Sequence, residues 1–167
     1  MTRSGSLIYY LTAWAVGCFS ITLAVWTKEL FGREFQVGLT NYTFALIGVY
    51  SYALLFGAPV SLLGGFFLRR IMRALRSDNL LYWTLAGAVT APALVLLFGW
   101  TGRYLGEVIP RDLWFAKFLM GLPGLFLFAG TEMVLEKGWW LAIPAGAATA
   151  YLLCRIERRF APPPANA

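Results

Sequence analysis

Histidine is absent from the sequence, and cysteine is scarce. Without histidine the chain cannot build histidine-ligated haem, the usual zinc hydrolase sites, Ser-His-Asp triads or histidine proton relays. The two cysteines, Cys18 and Cys154, lie in separate apolar runs, and neither belongs to a CxxC pair. Neither a redox motif nor a cysteine zinc site is indicated, so we expect buried thiols, no cofactor and no metal.

Charged residues are also few: they make up 13% of the 167 residues, whereas 59% are hydrophobic. Soluble domains carry about 25% charged residues, so this composition predicts a membrane protein. The net charge of +6 would suggest a nucleic-acid ligand in a soluble chain. Here the basic residues flank apolar runs, so membrane orientation explains them and we expect no nucleic-acid partner.

Four apolar runs are long enough to predict transmembrane helices. A helix of about 20 residues is about 30 Å long, which matches the hydrocarbon core of a bilayer. Two of the runs contain a proline, Pro59 and Pro92, which we expect to kink the helix without ending the span. The predicted spans are residues 7–26, 42–68, 80–102 and 138–154. The sequence therefore predicts an all-α integral membrane bundle in which residues 1–160 form a single domain.

A further apolar segment, residues 118–135, is ambiguous. The motif GLPG at 121–124 interrupts it. In addition, Glu132 and Glu136 would repel each other at i,i+4 if one helix continued through both. We therefore predict an interfacial or re-entrant element before the last span, with a fifth span as the alternative.

The placement of lysine and arginine predicts the orientation. With four spans and the N-terminus inside, most basic residues, including the cluster RRIMRALR at 69–76, lie on the inner side. Five spans with the same N-terminus reverse that excess. We therefore predict a cell inner-membrane protein with both termini in the cytoplasm. Residues 161–167, which are rich in proline, are predicted to be a disordered tail.

Arginines dominate the candidate binding residues. Arg69, Arg73 and Arg76 recur at i, i+4 and i+7 and so share one helix face. Guanidinium groups match phosphate geometry, so the expected ligands are anionic lipid headgroups or a lipid-linked phosphate. The alternative is that these residues only signal topology. The predicted phosphate contacts are Arg69, Arg70, Arg73, Arg76, Arg155, Arg158 and Arg159.

Glu132 is the single acid placed within an apolar segment. An ionisable group at membrane depth is costly, which makes this carboxylate a functional candidate for carrying a proton or binding a cation. The alternative places Glu132 at the headgroups, beside Glu136 and Lys137.

Small residues recur every four positions in two of the apolar runs. That spacing lets helix backbones approach closely in lipid. It predicts helix-packing positions at Gly57, Ser61, Gly65, Gly146 and Ala150.

The closing segment carries one resemblance to known proteins. FAKFLMG at 115–121, followed by an apolar stretch and YLLCRIERRF at 151–160, resembles the last helices of small four-span proteins that accompany polyprenyl-linked glycosyltransferases. Those proteins are thought to flip lipid-linked sugars, so the resemblance implies a role in lipid-linked sugar translocation. The residues before this segment show no counterpart.

The function predicted from the sequence is non-enzymatic. We expect a small accessory or structural protein that packs against other membrane proteins, or a second copy of itself, and touches anionic lipid through its arginines. The sequence has no Gly-rich phosphate loop, HExxH motif or Walker lysine that would point to catalysis. The alternatives are a component that translocates lipids or lipid-linked sugars, and a proton- or cation-coupled transporter that uses Glu132.

Overall fold

The computed structural model describes residues 3–32, 39–108, 121, 124 and 128–160. Every secondary-structure element in these ranges is helical, which confirms the predicted all-helical architecture for this part of the chain. The elements are α1 (Arg3–Gly32), α2 (Leu39–Phe56), α3 (Ala58–Ala74), α4 (Leu80–Val108), α5 (Gly130–Gly138), a 3₁₀ turn (Trp139–Leu141) and α6 (Ala142–Phe160). The predicted tail at 161–167 lies outside the described residues.

Three helical stretches are long and apolar enough to cross a membrane: Gly5–Lys28, Leu80–Leu105 and Gly130–Phe160. A fourth consists of Thr43–Phe56 followed by Ala58–Ala74, if the two halves count as one bent span. The described chain therefore holds three candidate spans, or four with the bent pair, and they overlap the four predicted runs.

The second predicted span, residues 42–68, is divided between two helices that meet at 64°. The break falls at Gly57, and Pro59 lies in the first turn of α3. A proline there costs no hydrogen bond, because the first N–H groups of a helix have no intrahelical acceptor. Pro59 thus helps to begin a helix, and the prediction that it kinks a continuous one is wrong. Pro92, by contrast, lies inside the unbroken α4.

α5 contains both Glu132 and Glu136, although their repulsion argued against one helix through both. Arg103 on α4 supplies the missing attraction, because its guanidinium lies 3.7 Å from the Glu132 carboxylate and 3.0 Å from that of Glu136. The helix is interrupted instead at Gly138, whose φ of 126° lies in a region that glycine tolerates. The predicted break at 121–124 falls largely outside the described residues, as does most of the segment that precedes α5.

α4 and α6 form the most extensive helix pair, while α1 packs against α6, α3 and α2. A buried core joins α1, α3, α4 and α6; its large members are Tyr9, Leu68, Met72, Trp83 and Leu153. α2 lies outside this core, and its side chains Phe44, Ile47 and Leu55 are exposed. The bundle therefore depends on four helices, with α2 at its periphery.

The beginning of α1, the end of α3 and the end of α6 lie together. Arg69 on α3 contacts both Ser6 on α1 and Glu157 on α6, and Arg158 on α6 donates to the carbonyl oxygen of Asp78 in the α3–α4 turn. We call this end of the bundle, which carries residues 69–76 and 155–159, the basic end. The chain enters α1 and leaves α6 at the same end of the bundle.

Candidate functional site

The turn that ends α3 places an arginine in an uncommon backbone conformation. The N–H of Ser77 donates to the carbonyl oxygen of Met72 at 3.3 Å, and the N–H of Arg76 donates to that of Arg73 at 3.2 Å, which is the Schellman pattern. Arg76 has φ 49°, in the left-handed region that glycine occupies at least cost. An arginine here costs backbone energy, and such strain concentrates where a side chain serves a function.

The α3–α4 connection is short because α4 is capped at once. The side-chain oxygen of Asn79 accepts a hydrogen bond from the N–H of Leu81 at 2.9 Å, so one of the orphan donors of the new helix is satisfied. The indole of Trp83 donates to the carbonyl oxygen of Ser77 at 3.2 Å. These bonds hold the turn, and with it Arg76, against the buried core.

A buried ion pair joins α3 to α6 at the basic end. Arg69 Nε lies 3.3 Å from both carboxylate oxygens of Glu157, and Arg73 Nη2 lies 3.2 Å from Oε1. The Arg69 side chain is only 9% exposed, against 59% for Arg73. Arg69 also donates to Ser6 Oγ at 3.4 Å and lies over the Tyr9 ring, 5.0 Å from its centroid, as a cation–π pair does. Arg69 is therefore committed to holding three helices together.

Glu157 is the residue at this site that the sequence analysis did not single out. Its signal was present, because it is the one acid in the basic run RIERR at 155–159. A lone carboxylate among arginines beside an apolar run points to an internal ion pair, since a buried charge needs a partner. Next to the pair, the Tyr9 hydroxyl donates to the carbonyl oxygen of Gly65 at 3.0 Å, which orders the ring beneath Arg69.

Arg155 and Arg158 make local hydrogen bonds at the basic end. Nη2 of Arg155 donates to the hydroxyl of Tyr151, one helical turn earlier, at 2.7 Å. Nε of Arg158 donates to the carbonyl oxygen of Asp78 at 3.1 Å, which ties α6 to the α3–α4 turn. Both side chains are exposed, and a guanidinium has five N–H donors, so each keeps donors for an external ligand.

The remaining three predicted arginines, Arg70, Arg76 and Arg159, are exposed cations. Within the ranges that the structure describes, none of their side chains makes a hydrogen bond or an ion pair. The fold thus gathers all seven predicted arginines at one end, buries Arg69, and leaves these three available to an anion.

Glu132 lies elsewhere, beside the C-terminal part of α4. Its side chain is 42% exposed and is paired with Arg103. Among the described residues no group of three histidine, cysteine, aspartate or glutamate side chains could hold a metal ion. Glu132 is therefore a member of a paired charge cluster and not an isolated carboxylate.

The predicted small residues of α3 lie where it crosses α1. A Cβ atom built on Gly65 would lie 2.8 Å from the Cβ of Ala13, and one built on Gly57 would lie 3.3 Å from Cys18 Sγ. Between them, Ser61 Oγ lies 3.4 Å from the same sulfur. Residues at this four-residue spacing let α3 approach α1 more closely than larger side chains would allow.

Gly146 and Ala150 on α6 lie where it crosses α4. A Cβ atom on Gly146 would lie 2.5 Å from the Cβ of Ala91 and closer still to the carbonyl oxygen of Gly87, while Ala150 is fully buried. Gly87 was not among the predicted packing positions, although Gly87 and Ala91 repeat the same four-residue spacing. The two helices meet there backbone to backbone.

Comparison with known proteins assigns no role to these residues. No protein-family model matches the chain, and searches of the curated proteins and of the solved structures found no match. The resemblance of the closing segment to four-span proteins of lipid-linked sugar translocation gains no support from these comparisons. The basic end must therefore be interpreted from its own geometry.

Proposed function

We propose that the chain is a non-enzymatic, four-span protein of the cell inner membrane whose basic end binds anionic lipid headgroups at the cytoplasmic face. Two observations support this arrangement. α1 begins and α6 ends at the same end of the bundle, as an even number of crossings requires, and the bent pair of α2 and α3 supplies the fourth crossing. That end also carries the arginines, which the positive-inside rule places in the cytoplasm.

The observation that carries the proposal is the set of exposed, unpaired arginines at one end: Arg70, Arg76 and Arg159. Arg69 and Arg73 are engaged with Glu157, so binding of an external anion falls to the other three. Guanidinium groups hold phosphate oxygens through charge-assisted N–H bonds. The left-handed backbone of Arg76 adds support, because glycine would be cheaper there if the side chain had no task.

α2 offers a surface for the accessory role. Its side chains Phe44, Ile47 and Leu55 are exposed, and a Cβ atom on Gly48 would meet nothing within 4 Å. In lipid, a small residue on an uncovered helix face lets another helix pack closely. This surface supports a role in which the chain lies beside another protein in the membrane.

Removing two of the unpaired arginines should weaken lipid binding without weakening the fold. We expect Arg70→Gln combined with Arg76→Gly to lower the affinity for phosphatidylglycerol by more than about tenfold, since each basic side chain near an anionic surface contributes about 1 kcal/mol. Glycine suits the backbone at position 76, so stability should be equal or higher. Native mass spectrometry from discs of phosphatidylglycerol and phosphatidylcholine measures the bound lipid and reports any stoichiometric protein partner.

The matched control is Lys28→Gln combined with Lys137→Gln, which removes the same charge from the opposite end of the bundle. This control should bind phosphatidylglycerol as the unmodified chain does. Equal losses in both double variants would show that net charge, and not the basic end, attracts the lipid. Undiminished binding by the Arg70 and Arg76 variant would contradict the proposal directly.

The two ends of the bundle should also differ in their accessibility from outside the cell. The native thiols, Cys18 and Cys154, are buried, so a maleimide that cannot cross membranes should report mainly on introduced cysteines. In intact cells we expect it to label Lys137→Cys and to spare Leu75→Cys at the exposed end of α3, which should react only after lysis. The opposite pattern, or equal labelling of both, would rule out four spans with cytoplasmic termini.

A further inference from the structure

A cavity of about 150 Å³ lies among the helices, and each of the six described α-helices contributes to its wall. It is therefore a feature of the bundle interior and not of one outer face. The wall consists mainly of small and aliphatic side chains. One from each helix, in chain order, are Gly17, Ala53, Gly64, Leu94, Val134 and Ala145.

The hydroxyl groups in the wall are mostly engaged with the protein itself. Thr22 donates to the carbonyl oxygen of Cys18 at 2.7 Å, and Thr149 donates to that of Ala145 at 2.8 Å. Ser61 Oγ lies 3.4 Å from the Cys18 sulfur. A buried water needs about two to four polar partners, and this wall has few polar atoms left to supply them. The chemistry of the cavity therefore favours an apolar occupant.

The boundary between α2 and α5 is the weakest part of the wall. α2 lines the cavity with Ala53 and α5 lines it with Val134, but the two helices contact each other only sparsely. Their close approach is at Gly130, where a Cβ atom would lie 3.4 Å from the backbone nitrogen of Gly57. Because the outer face of α2 is apolar and exposed, a hydrocarbon chain passing between α2 and α5 stays in apolar surroundings throughout.

We propose that this cavity binds the end of the hydrocarbon chain of a membrane lipid, inserted between α2 and α5. Apolar cavities of about 150 Å³ stay dry and take up molecules the size of benzene, which fits a chain terminus and is too small for a headgroup. Along α1, α4 and α6 the core residues Tyr9, Trp83 and Cys154 lie between the cavity and the basic end. The proposal thus rests on an observation separate from the exposed arginines, and either site can fail alone.

Photocrosslinking with two probes tests the site: a phospholipid with a diazirine near the end of one acyl chain, and a polyprenyl phosphate with a diazirine at its distal isoprene unit. In the unmodified protein, peptide mapping should place the crosslinks on lining residues of α1, α3 and α5. A Cβ atom on Gly64 meets only the tip of Leu94, at 3.3 Å, so Gly64→Leu should project into the cavity. This variant should lower interior labelling about tenfold, because a filled cavity leaves no volume for the chain.

The matched control is Gly48→Leu, which adds the same side chain to open space on α2 and should leave interior labelling unchanged. Ala53→Leu fills the cavity from another helix and is the second variant if Gly64→Leu does not fold. Labelling by the acyl probe alone assigns a phospholipid chain, and labelling by the polyprenyl probe alone assigns an isoprenoid. Crosslinks confined to outward-facing residues such as Val89 and Leu97 in the unmodified protein would overturn the proposal, as would interior labelling that both filling variants leave intact.

Discussion

Gly146→Ala is expected to destabilise the bundle by about 2 kcal/mol, because adding a methyl group to a close-packed interface costs about 1 to 3 kcal/mol or more. The new Cβ atom would lie 2.5 Å from the Cβ of Ala91 and closer to the carbonyl oxygen of Gly87. The Gly87 oxygen is backbone and cannot rotate away, so α4 and α6 would have to separate. That pair is the most extensive helix contact in the structure, so the separation should loosen the whole bundle.

Gly48→Ala is the matched control and should change stability in the opposite direction. Its Cβ atom meets nothing within 4 Å, so only helix propensity acts, and alanine is better than glycine in a helix by about 1 kcal/mol. Reversible unfolding in mixed micelles, followed by circular dichroism as the denaturing detergent fraction rises, compares the two variants. Equal stability of both would show that α4 and α6 do not approach each other as the structure indicates.

Glu157→Leu is expected to cost about 3 kcal/mol, because removing one partner of a buried ion pair leaves the other charge uncompensated. The Arg69 guanidinium, 9% exposed and 3.3 Å from the carboxylate, would keep only Ser6 Oγ and the aromatic faces of Tyr9 and Tyr10. Those contacts are weaker than a carboxylate for a full positive charge. The loss should appear in the same unfolding experiment.

Arg73→Leu is the control for this ion pair, since Arg73 binds the same carboxylate but its side chain is 59% exposed. Solvent screening limits such a pair to about 1 kcal/mol or less. Combining Glu157→Leu with Arg69→Leu should restore most of the lost stability, because a buried pair replaced by apolar side chains is often neutral. A double variant as unstable as Glu157→Leu alone would show that the damage comes from lost packing and not from an unpaired charge.

The candidate spans could be predicted closely because lipid imposes a length on uncharged runs. The predicted run 80–102 lies within Leu80–Leu105, and the predicted run 7–26 lies within Gly5–Lys28. The break at Gly57 was predicted less well. Pro59 fits equally inside a kinked span or at the start of a new helix, and the sequence near it does not distinguish the two. The direction of α3 depends on its contact with α1 at Ala13 and Cys18.

Partners that are distant in the chain account for the other differences. Glu132 and Glu136 look incompatible in one helix until Arg103, 33 positions before Glu136, is brought beside them. The arginine cluster looks uniform until Glu157, 88 positions after Arg69, engages two of its members. Nothing in the local sequence of either cluster reveals which distant charge will lie next to it.

By itself the sequence determined the all-helical class, the approximate candidate spans, the absence of histidine chemistry and the arginines that any anion would meet. These properties follow from the composition and length of local segments, which act on lipid and water directly. Only the tertiary structure decided that Arg69 is buried while Arg70, Arg76 and Arg159 are not, that Gly87 meets Gly146, and that a cavity remains among the helices. Ion pairing, close backbone approach and enclosed volume are set by which helices become neighbours, and that choice is made by the whole bundle at once.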